Sequence, residues 1–308
     1  MAAMKIAMMG SGGVGGYFGA GLVRGGADVH FIARGAHLKA MRESGLAIEA
    51  DGTRQLLGRV LATDDPAQVG VVDLVVIGVK LWDTAAVLEQ IKPMVGAGTT
   101  LLSFQNGVTK DDLLRAAFPK AHVMGGVAYV ATTISEPGVI ARTGPLERLI
   151  FGEHDGGASP GGAALLEIAR KGGINAELST DIRREIWQKF VFLVGLSSTT
   201  TTMRLPIGPI RTNPRTRAFL LDVMREVVAV GRALGVALQE DYAEQRLAFA
   251  DGVSPAMTSS MHHDLQRGNR LEVDWLAGAV VDLGAKAGVA TPLCRAVRDI
   301  MTLHSSGS

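Results

Sequence analysis

The sequence has a single cysteine, Cys294, so it can form no internal disulfide and no multi-cysteine metal site. A lone thiol is what a reducing compartment permits, and the cytoplasm is the expected location. Neither sign of charge is in excess: 31 Lys and Arg stand against 30 Asp and Glu, a formal net charge of +1. So small a net charge gives no general electrostatic reason to bind nucleic acid or an anionic membrane. Any anion site has to be local. No uninterrupted apolar stretch of about 18 residues occurs, which argues against a membrane-spanning helix. The opening "MAAMKIAMMGSGGVGG" holds one lysine and an apolar run soon broken by glycine, too short for a secretion signal. Heptad arrays, low-complexity tracts and solenoid periods are also missing.

Glycine, by contrast, is plentiful, with 39 in 308 residues, and implies many tight turns in a chain that is otherwise ordinary at 47% hydrophobic and 20% charged. The length favours two domains. Lys5 to Met9 is a short apolar run ending at Gly10, the pattern of a buried parallel strand entering a turn. Small and apolar residues from Val14 to Gly25 suit a helix packed closely on a sheet, and "DVHFIA" (28–33) reads as a second strand. The pattern then recurs. "VVDLVVIGVK" (71–80) predicts a central strand ending on Lys80, and "TTLLSFQNGV" and "AHVMGGVAYVATTI" predict two more, with helices between them. "GVIARTGPLERLIFGE" predicts extra antiparallel strands and "PGGAALLEIARKGGI" a further helix. Beyond Asp181 the texture changes: 182–196, 215–234, 241–249 and 272–287 have helical spacing with no strand runs between them. The expected architecture is an α/β N-terminal domain, residues 1–181, with a mostly parallel doubly wound sheet, followed by an all-helical domain, residues 182–308.

Gly10-Ser11-Gly12-Gly13-Val14-Gly15 fits G-x-G-x-x-G, and it leaves a predicted strand and opens a predicted helix. In that context Gly10 allows the turn, Gly12 allows close approach of a pyrophosphate, and Gly15 allows close helix packing. The phosphates would meet backbone N–H groups at the positive end of the helix. At the end of the second strand, where an acid would accept from a ribose hydroxyl, stands Arg34. A guanidinium binds a 2′-phosphate that a carboxylate would repel, so NADP(H) is the expected cofactor, and Lys80 could add a second positive charge.

A nicotinamide-dependent reductase of a carbonyl also needs a proton donor. Lys189, between Trp187 and Phe190 in an apolar helical run, is a candidate, because desolvation would lower its pKa. The same lysine could equally snorkel its head to water. Asn106 before Gly107, Ser260 and Glu272 are further polar candidates, although an Asn-Gly is often only a turn and a glutamate at a helix start only favours the dipole. The adjacent His262 and His263 have no further Cys/His cluster to complete a metal site.

Taken in order, "GSGGVG" with "ARG" after the second strand, "VK" at 79–80, "QNG" at 105–107, "WQK" at 187–189, and "SSM" at 259–261 with "LEVD" at 271–274 resemble the ketopantoate (2-dehydropantoate) reductase family over nearly the whole chain. The resemblance implies a Rossmann domain and a helical domain of the 6-phosphogluconate dehydrogenase-like type, with the site in the cleft between them. It implies NADPH-dependent reduction of 2-dehydropantoate to (R)-pantoate, a step towards pantothenate and coenzyme A. It also implies that Lys189 is the proton donor, Asn106 lies beside nicotinamide and substrate, Ser260 binds substrate, Glu272 contacts the cofactor, Arg34 and Lys80 lie near the 2′-phosphate, and Ala131 makes a cofactor backbone contact. The chain departs from the family where asparagines usually follow the catalytic lysine by one and two turns: here stand Leu193 and Ser197. Leucine cannot make the expected hydrogen bond, so either the substrate is another, related 2-oxo acid, or "SSTTTT" at 197–202, beginning with Ser197, supplies replacement donors. A non-catalytic NADP(H)-binding sensor is the alternative of a different class. The apolar helical half would suit a homodimer interface as well as a core.

Overall fold

The computed structural model describes residues 3–307. Two compact units divide the chain: residues 1–106 with 110–182, and residues 107–109 with 183–308.

The first unit opens with β1 (Lys5–Met9), α1 (Gly13–Arg24), β2 (Asp28–Ile32) and α2 (Gly35–Ser44). There follow β3 (Ala47–Ala50), β4 (Thr53–Leu56), β5 (Leu61–Thr63), β6 (Leu74–Ile77), α3 (Thr84–Gln90) and β7 (Thr100–Ser103). It closes with α4 (Lys110–Ala117), β8 (His122–Glu136), β9 (Val139–Gly152), α5 (Pro160–Lys171) and β10 (Ala176–Leu178). One sheet carries all these strands in the order β4-β3-β9-β8-β7-β6-β1-β2-β5, with β10 beside β9. Only β3·β4 and β8·β9 run antiparallel. Apolar runs without alternation make β1 and β6 buried central strands, as expected where both faces are covered.

Two readings of the sequence need correction here. The apolar run at 71–80 is longer than its strand, because pairing stops at Ile77. Val72 donates instead to the Met94 carbonyl, Val71 is exposed, and Lys80 stands at the entrance of a 3₁₀ turn, Leu81–Asp83. The segment 138–153 holds one long strand, Val139–Gly152, rather than several, paired antiparallel with β8 across two irregularities in register.

The second unit is helical: α6 (Ile182–Met203, whose first residue groups with the first unit), α7 (Ile207–Thr212), α8 (Pro214–Ala233), α9 (Tyr242–Gly252), α10 (Ser260–Gln266), α11 (Ala277–Ala287) and α12 (Pro292–Met301). Its core gathers Val191 and Val194 of α6, Leu220, Met224 and Val227 of α8, and Val280 of α11. Pro214 starts α8 rather than breaking it, because the first helical position needs no N–H, and the Asn213 side chain accepts from the Arg215 and Thr216 amides. Of the four consecutive threonines near the end of α6, Thr199, Thr200 and Thr202 each donate their hydroxyl to a carbonyl four residues back, whereas the buried Thr201 hydroxyl has no partner. Cys294 is buried, and the Glu226 carboxylate accepts from the Leu293 and Cys294 amides at 2.8 Å, capping α12. Among the described residues no helix is long and apolar enough to cross a membrane, and no group of three or more His, Cys, Asp and Glu could hold a metal ion.

Candidate active site

β2, β1, β6 and β7 are parallel neighbours in register, with Ile32 beside Met9, Met9 beside Ile77 and Ile77 beside Ser103. Their carboxyl ends therefore form one edge, and the segments leaving it are Ala33–Arg34, Gly10–Gly12, Gly78–Lys80 and Phe104–Asn106. The chain order reverses direction at β1, the place where open α/β sheets bind ligands. The glycine motif, Arg34, Lys80 and Asn106 are thus brought together by strand register, although they are far apart in sequence.

Within the motif each residue has a distinct mechanical reason. Gly10 has φ +93°, and a methyl there would meet the Val79 backbone at 2.9 Å. A methyl on Gly15 would stand 2.1 Å from the Gly10 carbonyl oxygen, and one on Gly13 would stand 2.6 Å from the Thr132 carbonyl oxygen. Val14 packs its side chain against the sheet's core. Gly12 differs from the others, because a methyl there would have nothing within 4 Å. It is the N-cap of α1, whose terminus receives no side-chain cap, so the first amides of the helix have no partner within it. Ser11 faces the other way. Its amide donates to the Ile32 carbonyl at 3.0 Å and its hydroxyl lies 3.1 Å from the same oxygen, so it splices β1 to β2.

Arg34 is exposed at the start of α2 and donates to Gln90 Oε1 at 3.0 Å. Lys80 is half-buried with Nζ 5.4 Å from the centre of the Trp82 ring. Ala131 is exposed at the irregularity between Val130 and Thr132 of β8. Thr132 Oγ1, next to it, is shielded from solvent without a hydrogen-bond partner and lies against Gly13. Asn106 precedes Gly107, whose φ of +86° makes the turn.

Sequence reasoning missed the groups that hold these loops. Gln105 accepts from the Ser103 hydroxyl and donates to Thr84 Oγ1 at 2.8 Å and to the Lys80 carbonyl at 3.4 Å, joining the loops that bear Asn106 and Lys80. Lys110, 1% exposed, donates to the Ser103 carbonyl and to Asp111 Oδ1, both at 3.0 Å. Burial alone would raise the Asp111 carboxyl, but the Lys110 ammonium and the nearby His154 more than reverse this and hold it below the ordinary carboxylate value. His37 links Ser11 to the β8–β9 turn.

In the second unit Lys189 is half-buried on α6, between buried Trp187 and Phe190, whose rings meet edge to face at 5.7 Å. Leu193 is half-buried and packs on the helical core. Ser197, two turns or about 12 Å of helix beyond Lys189, is 1% exposed and its hydroxyl has no partner. Ser260 is exposed in the first turn of α10. Its predecessor Ser259 caps that helix and lies 3.0 Å from Thr200 Oγ1, while His262 Nδ1 donates to the Thr200 carbonyl at 2.7 Å. These contacts tie the start of α10 to Thr200, in the C-terminal part of α6. Glu272 is buried, but it precedes a 3₁₀ turn, Val273–Trp275, rather than opening the helix expected at 272.

The family model for ketopantoate reductase PanE/ApbA matches residues 6–156, and the model for its C-terminal part matches residues 181–304. The chain belongs to the ketopantoate reductase family. A 2-dehydropantoate 2-reductase of Mesorhizobium japonicum is 32% identical, covering 96% of this chain and 95% of that one. The crystal structure of a PanE/ApbA family ketopantoate reductase from Ralstonia eutropha superposes with a TM-score of 0.89 at 33% identity, over 98% of each chain. D-mandelate dehydrogenase with NADH and anilino(oxo)acetate has the same fold, at a TM-score of 0.87 and 21% identity over 98% of each chain. The chain is accordingly an oxidoreductase, of a ketopantoate reductase family acting on CH–OH groups.

Proposed function

We propose that the chain reduces a 2-oxo acid with NADPH, its substrate being 2-dehydropantoate and its product (R)-pantoate on the route to pantothenate. The observation that carries this reading is the match of the family's models to both halves of the chain. A dinucleotide fits the first unit's edge. Gly12 opens on free space at an uncapped helix start, Thr132 Oγ1 lacks a partner beside it, and Arg34 is exposed where a 2′-phosphate would need a cation.

When bound, the reduced nicotinamide supplies the hydride. Lys189 gives a proton to the carbonyl oxygen as it becomes a hydroxyl, and its ammonium favours the negative charge that builds there. Asn106 orients the substrate, and Ser197 and Ser260 hold its polar ends. Gly10 to Gly15, Arg34, Lys80, Ala131 and Glu272 hold the coenzyme. Among these, Ser11 acts through the fold, since its polar atoms serve the Ile32 and Met8 carbonyls.

Leu193 supports a second reading, a related 2-oxo acid with an apolar side chain, because a leucine offers a polar substituent no hydrogen bond. Initial rates of NADPH oxidation with 2-dehydropantoate and a panel of aliphatic and aromatic 2-oxo acids separate the two. The first reading expects the highest kcat/KM for 2-dehydropantoate, and a clear preference for another acid replaces it with the second. Lys189→Ala should lower kcat at least a hundredfold with coenzyme Kd little changed. Undiminished turnover would remove the lysine from the chemistry.

A further inference from the structure

His37 lies in the first turn of α2, half-buried, and its two ring nitrogens are both engaged by backbone. The Gly138 amide donates to Nδ1 at 3.0 Å, and Nε2 lies 3.0 Å from the Ser11 carbonyl oxygen. An amide can only donate, so Nδ1 carries a lone pair, and the ring's proton is on Nε2, where it is donated to Ser11. The partners fix the neutral tautomer. Burial is the main influence on the ring and lowers its pKa, the Ser11 contact acting weakly the other way.

The Ser11 carbonyl belongs to the peptide unit whose N–H is that of Gly12. In a trans peptide the two point in opposite directions. An imidazole holding the carbonyl to one side therefore turns the Gly12 N–H to the other, at a residue where an added methyl would meet nothing within 4 Å. Gly138, the other end of the bridge, is itself held, because its carbonyl accepts from the Ala47 amide at 2.9 Å. The ring is thus anchored on the main sheet rather than on a loose loop.

We propose that neutral His37 is a positioning residue for the coenzyme pyrophosphate, setting the Ser11–Gly12 peptide so that the Gly12 N–H donates to a phosphate oxygen. This rests on the reading that the first unit binds a nicotinamide dinucleotide. It differs from the role of Arg34: the pyrophosphate is common to NADPH and NADH, so His37 serves both, whereas Arg34 serves only the 2′-phosphate.

Calorimetric titration of wild-type protein and of His37→Phe and His37→Gln with NADPH, NADH and adenosine 2′-monophosphate tests this. His37→Phe should weaken both dinucleotides by a similar factor, about tenfold for the loss of one aligned donor. Adenosine 2′-monophosphate, which has no pyrophosphate, should bind as before. His37→Gln, which can donate and accept at once, should recover part of the loss. Nitrogen-15 spectra of the unliganded protein should show the proton on Nε2. Wild-type protein that binds neither dinucleotide removes the reading beneath the proposal. Wild-type binding with unchanged affinity in His37→Phe overturns the proposal alone, as does an equal loss for adenosine 2′-monophosphate or a proton on Nδ1. Should His37→Phe fail to fold, the glutamine variant and the wild-type spectrum still decide.

Discussion

Alanine at Gly12 and alanine at Gly15 should separate two jobs done by one motif. At Gly15 the added methyl would sit 2.1 Å from the Gly10 carbonyl oxygen, far inside the 3.4–4 Å of ordinary contact. That oxygen is backbone, in a residue already at φ +93°, and it cannot rotate aside as a side chain would. The cost should reach the top of the range for overpacking, about 3 kcal/mol, which in a unit of this size lowers Tm by roughly 6–12 °C. At Gly12 the methyl meets nothing, and φ −72° suits any residue. Stability should change by less than about 1 kcal/mol, because the smaller entropy of the unfolded chain offsets the poorer cap. The methyl does, however, occupy the opening through which phosphates would approach. Loss of one charge-assisted hydrogen bond, about 1.5–3 kcal/mol, weakens NADPH by roughly 10–150-fold. Urea denaturation and coenzyme titration of both variants check this. A Gly12→Ala protein with wild-type coenzyme affinity, or one as unstable as Gly15→Ala, would refute the assignment of the phosphates to this opening.

Arg34→Ala should weaken NADPH about tenfold or more while leaving NADH nearly unchanged, since only NADPH offers the guanidinium a 2′-phosphate. Equal weakening of both in titrations would remove the basis for choosing NADP(H). Lys110→Met leaves Asp111 buried beside His154 without its ammonium and should cost about 3–5 kcal/mol in urea denaturation. Lys110→Met with Asp111→Leu should recover most of that, and a single variant as stable as wild type would show that the pair contributes nothing. The same pair makes stability pH-dependent. A carboxyl held low in the folded state binds fewer protons than in the unfolded chain, so its contribution is present above about pH 3.9 and is lost as the pH falls through the folded value. The acid limb of a stability–pH profile should therefore be shallower in Asp111→Asn than in wild type.

Elements whose burial is uniform were legible from sequence. β1, β6 and β7 are short apolar runs bounded by turn residues, and the strand and helix that flank the glycine motif are unambiguous. β3, β4 and β5 carry no such signal. β4 is exposed at every position and β5 has only three residues, so neither carries an apolar period, and they exist because neighbouring strands offer them partners. In α2 only Leu38 and Met41 are buried, too few for a helical stripe to show. At the site, residues that follow a strand's carboxyl end were placed by the strand pattern alone. His37 was not, because its two partners lie 26 and 101 residues away in sequence. Gln105 carries no sequence signal of its own, because its role depends on Thr84 and the Lys80 carbonyl, which meet it only through the register of β6 and β7.

Cys294 has a practical consequence. Burial, and after it the Glu226 carboxylate, push its thiol well above the ordinary range, so the folded protein presents almost no thiolate to an alkylating reagent. With no other cysteine in the chain, a thiol introduced on the surface becomes a unique attachment point for a fluorophore or spin label without removal of the native one. The native sulfur then reacts only when α12 comes loose, and its slow modification reports how often the helical unit opens.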